Sequence, residues 1–292
     1  MGRFFYFASE HHSGSRCGKG VVGVGGGTRE SYESYTPDQQ KDKDDKVVVF
    51  VLCHNDESRA SATTSFAPYD WARPQRIPTT YMMETFFYTN LLPSLLDTAI
   101  NPNTRWIGSL SWKAPQKTSI PLVHEMLTDP ALAASDVDVL AFFIHSPHES
   151  MAEYSNRAHP GLIEAMEYIL LSVGETKKDV QSMRADPSVF KPFYANYLVA
   201  RPSLMRTYVA WLSRVVLFLN IDPRAQKMAW VDSRYDPAII GGRHCSQDVF
   251  NLPYYPMHPF IGERLAPYFF HTRKAKILTI MEYQQNKDSQ SR

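Results

Sequence analysis

Residues 47–56 read VVVFVLCHND. Six apolar residues and a cysteine run unbroken, and the chain then drops at once into His54, Asn55 and Asp56. The run is too short for a membrane span and too β-branched for a helix. It reads as a strand buried on both faces, the signature of a parallel sheet covered by helices. Its polar tip asks for a reason, because in open α/β sheets ligands sit beyond the carboxyl ends of the strands.

Outward from this strand the pattern alternates. Thr79 or Thr80 is placed to cap a helix from Tyr81, with Met82, Met83, Phe86, Phe87, Leu91 and Leu92 on its apolar side. Residues 105–112 (RWIGSLSW) read as the next strand, followed by a short helix over 121–127 and a turn at Asp129-Pro130. Residues 137–144 (VDVLAFFI) read as another buried strand, with Ser146-Pro147-His148-Glu149 as a capping box opening a helix. His159-Pro160 opens a further helix that Gly174 stops. Residues 193–200 (FYANYLVA) are strand-like, and Pro202-Ser203 caps a long helix over 204–219. Residues 220–255 read as irregular, and a last helix over 259–270 should bend or end early at Pro267. Such alternation predicts an α/β fold, a mostly parallel sheet flanked by helices within one domain over 47–283.

The flanks read differently. Residues 1–46 hold eight of the fourteen glycines among Ser, Lys, Asp and Gln, and end in QQKDKDDK. They cannot bury enough apolar surface to offset ordering entropy, so a disordered tail is expected, with a polar tail over 284–292 at the other end. Gly18, Gly20 and Gly23 fit GxGxxG, yet no strand precedes them, and without a strand-to-helix turn that pattern cradles no pyrophosphate.

A formal charge of +1 creates no basic field, which argues against nucleic acid as a partner. Cys17, Cys53 and Cys245 are far apart, without a CxxC pair, and point to reduced thiols rather than a disulfide framework. No run approaches the roughly 18 apolar residues of a transmembrane segment. MGRFFYF lacks the form of a secretory signal, and Tyr6 departs from the myristoylation pattern. The expectation is a soluble, cytoplasmic protein of unassigned oligomeric state.

Three strand ends are polar. His54, Asn55 and Asp56 follow the first; Ser109, Ser111, Trp112 and Lys113 finish the second; His145 and Ser146 follow VDVLAFFI. A lysine, hydroxyls and an aromatic face together suit a polyol or phosphate ligand. Asp136-Val137-Asp138 has the Asp-x-Asp shape with which many sugar transferases hold Mg²⁺ or Mn²⁺ against a nucleotide diphosphate, hard cations preferring oxygen ligands. Both aspartates, however, precede the apolar run instead of following it. His54 and Asp56, with His145 and His148, could alternatively serve a metal-dependent hydrolase, although no HxH or HxxxH spacing supports it.

Taken in order, five segments resemble glycosyltransferase-like proteins of polysaccharide-synthesis loci from bacteria and large viruses. They are VLCHND, ETFFYTNLLP, WIGSLSWKA, FYANYLVARPSLMRTYVAWL and HPFIGERLAPYFF, together spanning about residues 47–272. The third stands where that family tends to have an Ile-Gly-Leu-x-x-Tyr-Arg-like segment, and the last is similar to its Gly-Phe-x-x-Glu-Arg-Leu helix. The resemblance implies a single GT-A-like, Rossmann-type domain that moves a sugar from a nucleotide sugar to a glycan or other hydroxyl acceptor. It implies a donor site at His54, Asn55, Asp56, Tyr81, Asn90, Ser109, Ser111 and Lys113. Asn196 and Tyr197 would face the acceptor, Asp138 or Glu263 would act as base, and Asp136 with Asp138 would hold any Mn²⁺ or Mg²⁺. Lys113 stands where the family carries an arginine, keeping the charge but losing bidentate phosphate geometry. A non-catalytic relative that only binds carbohydrate or protein is the other reading.

Overall fold

The computed structural model describes residues 46–77, 84–98, 100–144, 147–234 and 254–290. Strand β1 is Val47–Cys53, and all but its first residue are buried. Successive side chains of a strand point to opposite faces. Val48, Phe50 and Leu52 accordingly enter one apolar core, and Val49, Val51 and Cys53 enter the other.

Parallel strands β2 (Ala72–Arg76) and β3 (Trp106–Ser111) flank β1. With β4 (Val139–Ala141), β5 (Leu198–Ala200) and β6 (Ile277–Thr279) they form a six-stranded sheet of order β2-β1-β3-β5-β4-β6. β5 runs against both of its neighbours, β3 and β4, while β6 lies parallel to β4. The sheet is thus mixed and mostly parallel, a layering compatible with a Rossmann-like fold. Reversal of β5 has a geometric result. The residues that precede it share an edge with those that follow β1, β3 and β4, here termed the carboxyl edge; the opposite end is the amino edge. At Gly108 the β3–β5 seam is so close that a Cβ would fall 1.9 Å from the Leu198 carbonyl oxygen, so only glycine fits.

One face of the sheet is covered by α1 (Asp56–Phe66), α4 (Ile120–Thr128), α5 (Pro130–Ala134) and α12 (Ile280–Gln290). The other carries α2 (Glu84–Phe86), a π-helical turn Phe87–Leu91 and α3 (Leu92–Thr98). On the same side lie α6 (Met151–Ala158), α7 (Leu162–Ser172), α8 (Lys177–Gln181), α9 (Pro202–Ile221), α10 (Pro223–Ala229) and α11 (His258–Thr272).

Several elements differ from the sequence reading. The VDVLAFFI strand shrinks to Val139–Ala141, because only these three residues pair with β5 and β6. The helix after it opens at Met151, with a capping box of Ser150 and Glu153 in place of one four residues earlier. Residues 54–66 hold a helix rather than a loop, and residues 223–229 hold α10. The polar C-terminal stretch is helical through Gln290. By length and composition α9 could cross a membrane; here Met205, Tyr208, Trp211, Leu212, Val215 and Leu219 face the core. Pro267 does not end α11, which continues to Thr272. It removes only the amide that would have bonded the carbonyl four residues back, at Glu263. The expected N-terminal tail up to residue 45, the GxGxxG segment, Tyr81 with its capping threonines, and His145 lie outside the described residues.

Candidate functional site at the carboxyl edge

The polar tips that the sequence singles out mostly turn out to be committed to the fold. Asn55 is the N-cap of α1: its side-chain oxygen accepts from the Ser58 amide at 2.8 Å, and the Ser58 hydroxyl accepts from the Asn55 amide at 2.9 Å. Asp56 is exposed and pairs with Arg76 at the end of β2, 3.4 Å away. Ser109 is buried, with its Oγ 2.8 Å from the Tyr88 hydroxyl and donating to the Asn196 carbonyl at 3.2 Å. Ser111 is pinned to the Tyr197 hydroxyl and also accepts from the Lys113 amide at 3.2 Å. Burial holds the phenols of Tyr88 and Tyr197 neutral, pushing both pKa values well up. Both serines are therefore fasteners between the sheet and its flanking segments, not ligand groups. Asn90 is exposed and turns its amide back onto Phe86 and Thr89 of its own helix.

What stays uncommitted at this edge is different. Lys113 and Lys117 are exposed in the 113–117 turn after β3. The Lys117 ammonium lies 5.5 Å from the Phe143 ring centre and 5.4 Å from that of Tyr197; the Lys113 ammonium lies 5.1 Å from Trp112. Among the described residues neither lysine is held in an ion pair. His54 is half-buried, and its Nδ1 lacks a hydrogen-bond partner. Burial, helped by the nearby Lys113 charge, lowers its pKa to about 4, so the ring is neutral at physiological pH.

Two carboxylates face these cations. Glu84 begins α2, and Glu263 projects from α11, which packs against α2. Burial pushes both acids upward in pKa; Lys117 and Lys113 partly offset this at Glu84, and Arg264 and Lys117 at Glu263. Glu84 in turn raises Glu263, so the two negative charges oppose each other. The Glu263 side chain is nevertheless 24% exposed. Glu263 is thus crowded enough to resist ionising while part of its side chain still reaches solvent.

Glu263 and Arg264 divide their tasks, as adjacent helical residues about 100° apart must. Arg264 is buried, donates to Glu263 at 3.0 Å, to the Phe260 carbonyl at 3.2 Å and to Ser155 at 3.3 Å, and lies 5.0 Å from the Tyr194 ring centre. It ties α11 to α6 and fixes one side of Glu263. Asn196 is buried just before β5 with φ of 54°, after Ala195 at 60°. Two successive left-handed residues without glycine store strain of the kind that clusters at ligand sites. The Oδ1 of Asn196 and the hydroxyl of Tyr194 are buried without a partner, which in a native fold calls for a water or a ligand.

Asp136 and Asp138 are not part of this site. They precede β4 and so lie at the amino edge, where Asp136 pairs with Lys276 and Asp138 accepts from the Lys276 amide at 2.9 Å. The expected metal ligands and the expected base Asp138 are corrected accordingly: both carboxylates hold the start of β4 to the start of β6. Among the described residues no three His, Cys, Asp or Glu side chains gather as a cation site. The residues present do not fit the Mn²⁺ or Mg²⁺ that the Asp-x-Asp reading implied.

Glu84 and Lys117 escape the sequence reading altogether. The available signals are faint: an acid inside ETFFYTNLLP, and a second lysine four residues beyond Lys113. Comparison with protein-family models, with curated proteins and with solved structures finds no match to this chain.

Proposed function

We propose that the chain is a glycosyltransferase of GT-A-like architecture, taking a nucleotide-sugar donor at the carboxyl edge of its sheet. The observation that carries this reading is the pairing there of two acids of raised pKa with two exposed lysines that have no ion-pair partner. A nucleotide diphosphate is the ligand that such ammonium groups suit, and it gains a further negative charge that needs positive charge nearby as the bond to sugar breaks. Trp112, beside Lys113, offers an apolar plate for a base or sugar ring.

In the reaction the acceptor hydroxyl oxygen attacks the anomeric carbon. A new C–O bond forms there while the C–O bond to the diphosphate breaks, and the bonding electrons leave with the nucleoside diphosphate. The hydroxyl proton passes to Glu263, whose raised pKa brings it nearer the working pH of a base. Glu84, repelling it, keeps the proton affinity high. Lys113 and Lys117 receive the departing phosphates. His54, neutral and half-buried, is placed to hydrogen-bond the donor at the end of β1.

The test is direct. Incubation with a panel of sugar nucleotides and glycan acceptors should release nucleoside diphosphate, and one donor should raise the melting temperature; ligand at 100 times its Kd adds roughly 2.7 kcal/mol. Absence of both release and stabilisation across the panel would refute the proposal. Stabilisation without release, unchanged in Glu263→Gln, would favour a binding protein over an enzyme.

A further inference from the structure

Six large apolar side chains stand well exposed among the described residues, and four of them fall between positions 217 and 231. Leu217 and Ile221 are 59% and 66% exposed, Trp230 and Val231 38% and 44%. Their placement is ordered. Leu217 and Ile221 lie four apart on the outer stripe of α9, together with exposed Arg214. Arg224 and Lys227 are exposed on α10, and Trp230 caps that helix.

Basic side chains outnumber acidic ones around the patch; exposed Asp232, next to Val231, accepts from the Arg234 amide at 2.8 Å. Asp222, between the two helices, is occupied: it accepts from the Ala225 amide at 2.7 Å and from the Tyr168 hydroxyl at 3.1 Å. Arg224 lies 4.3 Å from the Tyr168 ring centre, while Arg214 and Lys227 enter no ion pair among the described residues. Exposed aliphatic residues, a tryptophan at the boundary and basic side chains around them are what an anionic bilayer surface selects. Apolar groups sink below the headgroups, and cations stay level with them.

We propose that the face formed by the C-terminal half of α9 and by α10 docks on a membrane surface bearing anionic lipid. The helix lies on the bilayer and does not cross it, since its inner face is occupied by the core. A second copy of the chain suits the patch less well, because a two-fold interface would gather Arg214, Arg224 and Lys227 from both copies into one contact. The inference is independent of what the cleft turns over.

Flotation of the full chain with vesicles of phosphatidylcholine, alone or mixed with phosphatidylserine, tests it. The protein should float with the mixed vesicles and not with phosphatidylcholine alone. Arg214→Gln/Lys227→Gln should weaken partitioning about 30-fold, from ~1 kcal/mol for each basic residue near an anionic surface. Leu217→Ser/Ile221→Ser should weaken it at least about tenfold with only a small drop in the thermal midpoint, as both side chains are mostly exposed. Failure to float with the mixed vesicles, or flotation that survives both double substitutions, would overturn the proposal. So would a dimer, seen by light scattering, that Leu217→Ser/Ile221→Ser dissociates.

Discussion

The two edges of one sheet are both rich in charge, and they use it in opposite ways. At the amino edge a cavity of about 680 Å³ is lined by Lys46, Arg105 and Arg201, among others. Arg201 donates to the carbonyls of Val137 at 3.1 Å and Ser135 at 3.0 Å, and stacks 4.0 Å from the Trp106 ring centre. Asp136 and Asp138 are taken up by Lys276. At the carboxyl edge the serines and Asn55 are spent and Glu263 is held on one side by Arg264, but Lys113 and Lys117 are in no ion pair among the described residues. Within the amino-edge cavity Arg201 is satisfied by backbone carbonyls, and the neighbouring acids are paired. The carboxyl edge, with exposed lysines beside acids of raised pKa, is the edge on which the proposed function rests. Polar residues at a strand end are therefore a poor guide until it is known what they already hold.

The contrast can be broken most decisively by exchanging acids. Glu263→Gln should lower sugar transfer by about 10²- to 10⁴-fold, the range for loss of a general base. Asp138→Asn at the amino edge should leave the rate within about twofold, and an equal loss in both would erase the distinction between the edges. Next in size, Lys113→Met/Lys117→Met should weaken nucleoside diphosphate binding roughly 100-fold, at about tenfold for each charge-assisted contact. Titration calorimetry should show that deficit shrinking as salt rises, since exposed charges are screened.

A pH effect follows in size. Glu84 carries a folded-state pKa above its ordinary 4.5, because burial disfavours its charged form. Between those two values the native state keeps a proton that the unfolded chain has lost, so stability falls as pH rises through that window. Glu84→Gln should match the parent below about pH 4.5 and exceed it above the window, as read from denaturant midpoints across the pH range. Smallest of all, Asp136→Asn should leave the melting temperature and nucleotide binding unchanged, the ion pair with Lys276 being fully exposed to solvent.

The parts of the fold that announce themselves in sequence are those whose stability is local or fully apolar. β1 and α9 are uninterrupted enough to be read at once, and Gly174, at positive φ, follows the end of α7 as expected, whereas the helix opens after Gly161 and not at His159-Pro160. α1 is illegible, because DESRASATTSF has no apolar stripe. It is held instead by the Asn55–Ser58 capping box and by burial of Ala62 and Phe66 alone. β2 hides behind Pro74, which an edge strand tolerates since one side of its backbone needs no partner. For the candidate site, Lys113 and His54 are legible as polar groups at strand ends, and Glu263 only through the resemblance. That Ser109 and Ser111 were already claimed by Tyr88 and Tyr197 was not, because those tyrosines come 21 residues before and 86 after. Glu84 meets Glu263 only through packing of α2 on α11, which no local pattern encodes.

Pro267 bears on how α11 can deform. An α-helix is stiff because every rung of its ladder is filled, and α11 lacks the rung that would end on the backbone of Glu263. Compliance is therefore concentrated at the turn that carries Glu263. If Glu263 takes the proton in the proposed reaction, a slight swing of that turn lets it follow the hydroxyl, while Arg264 keeps its anchor on Ser155.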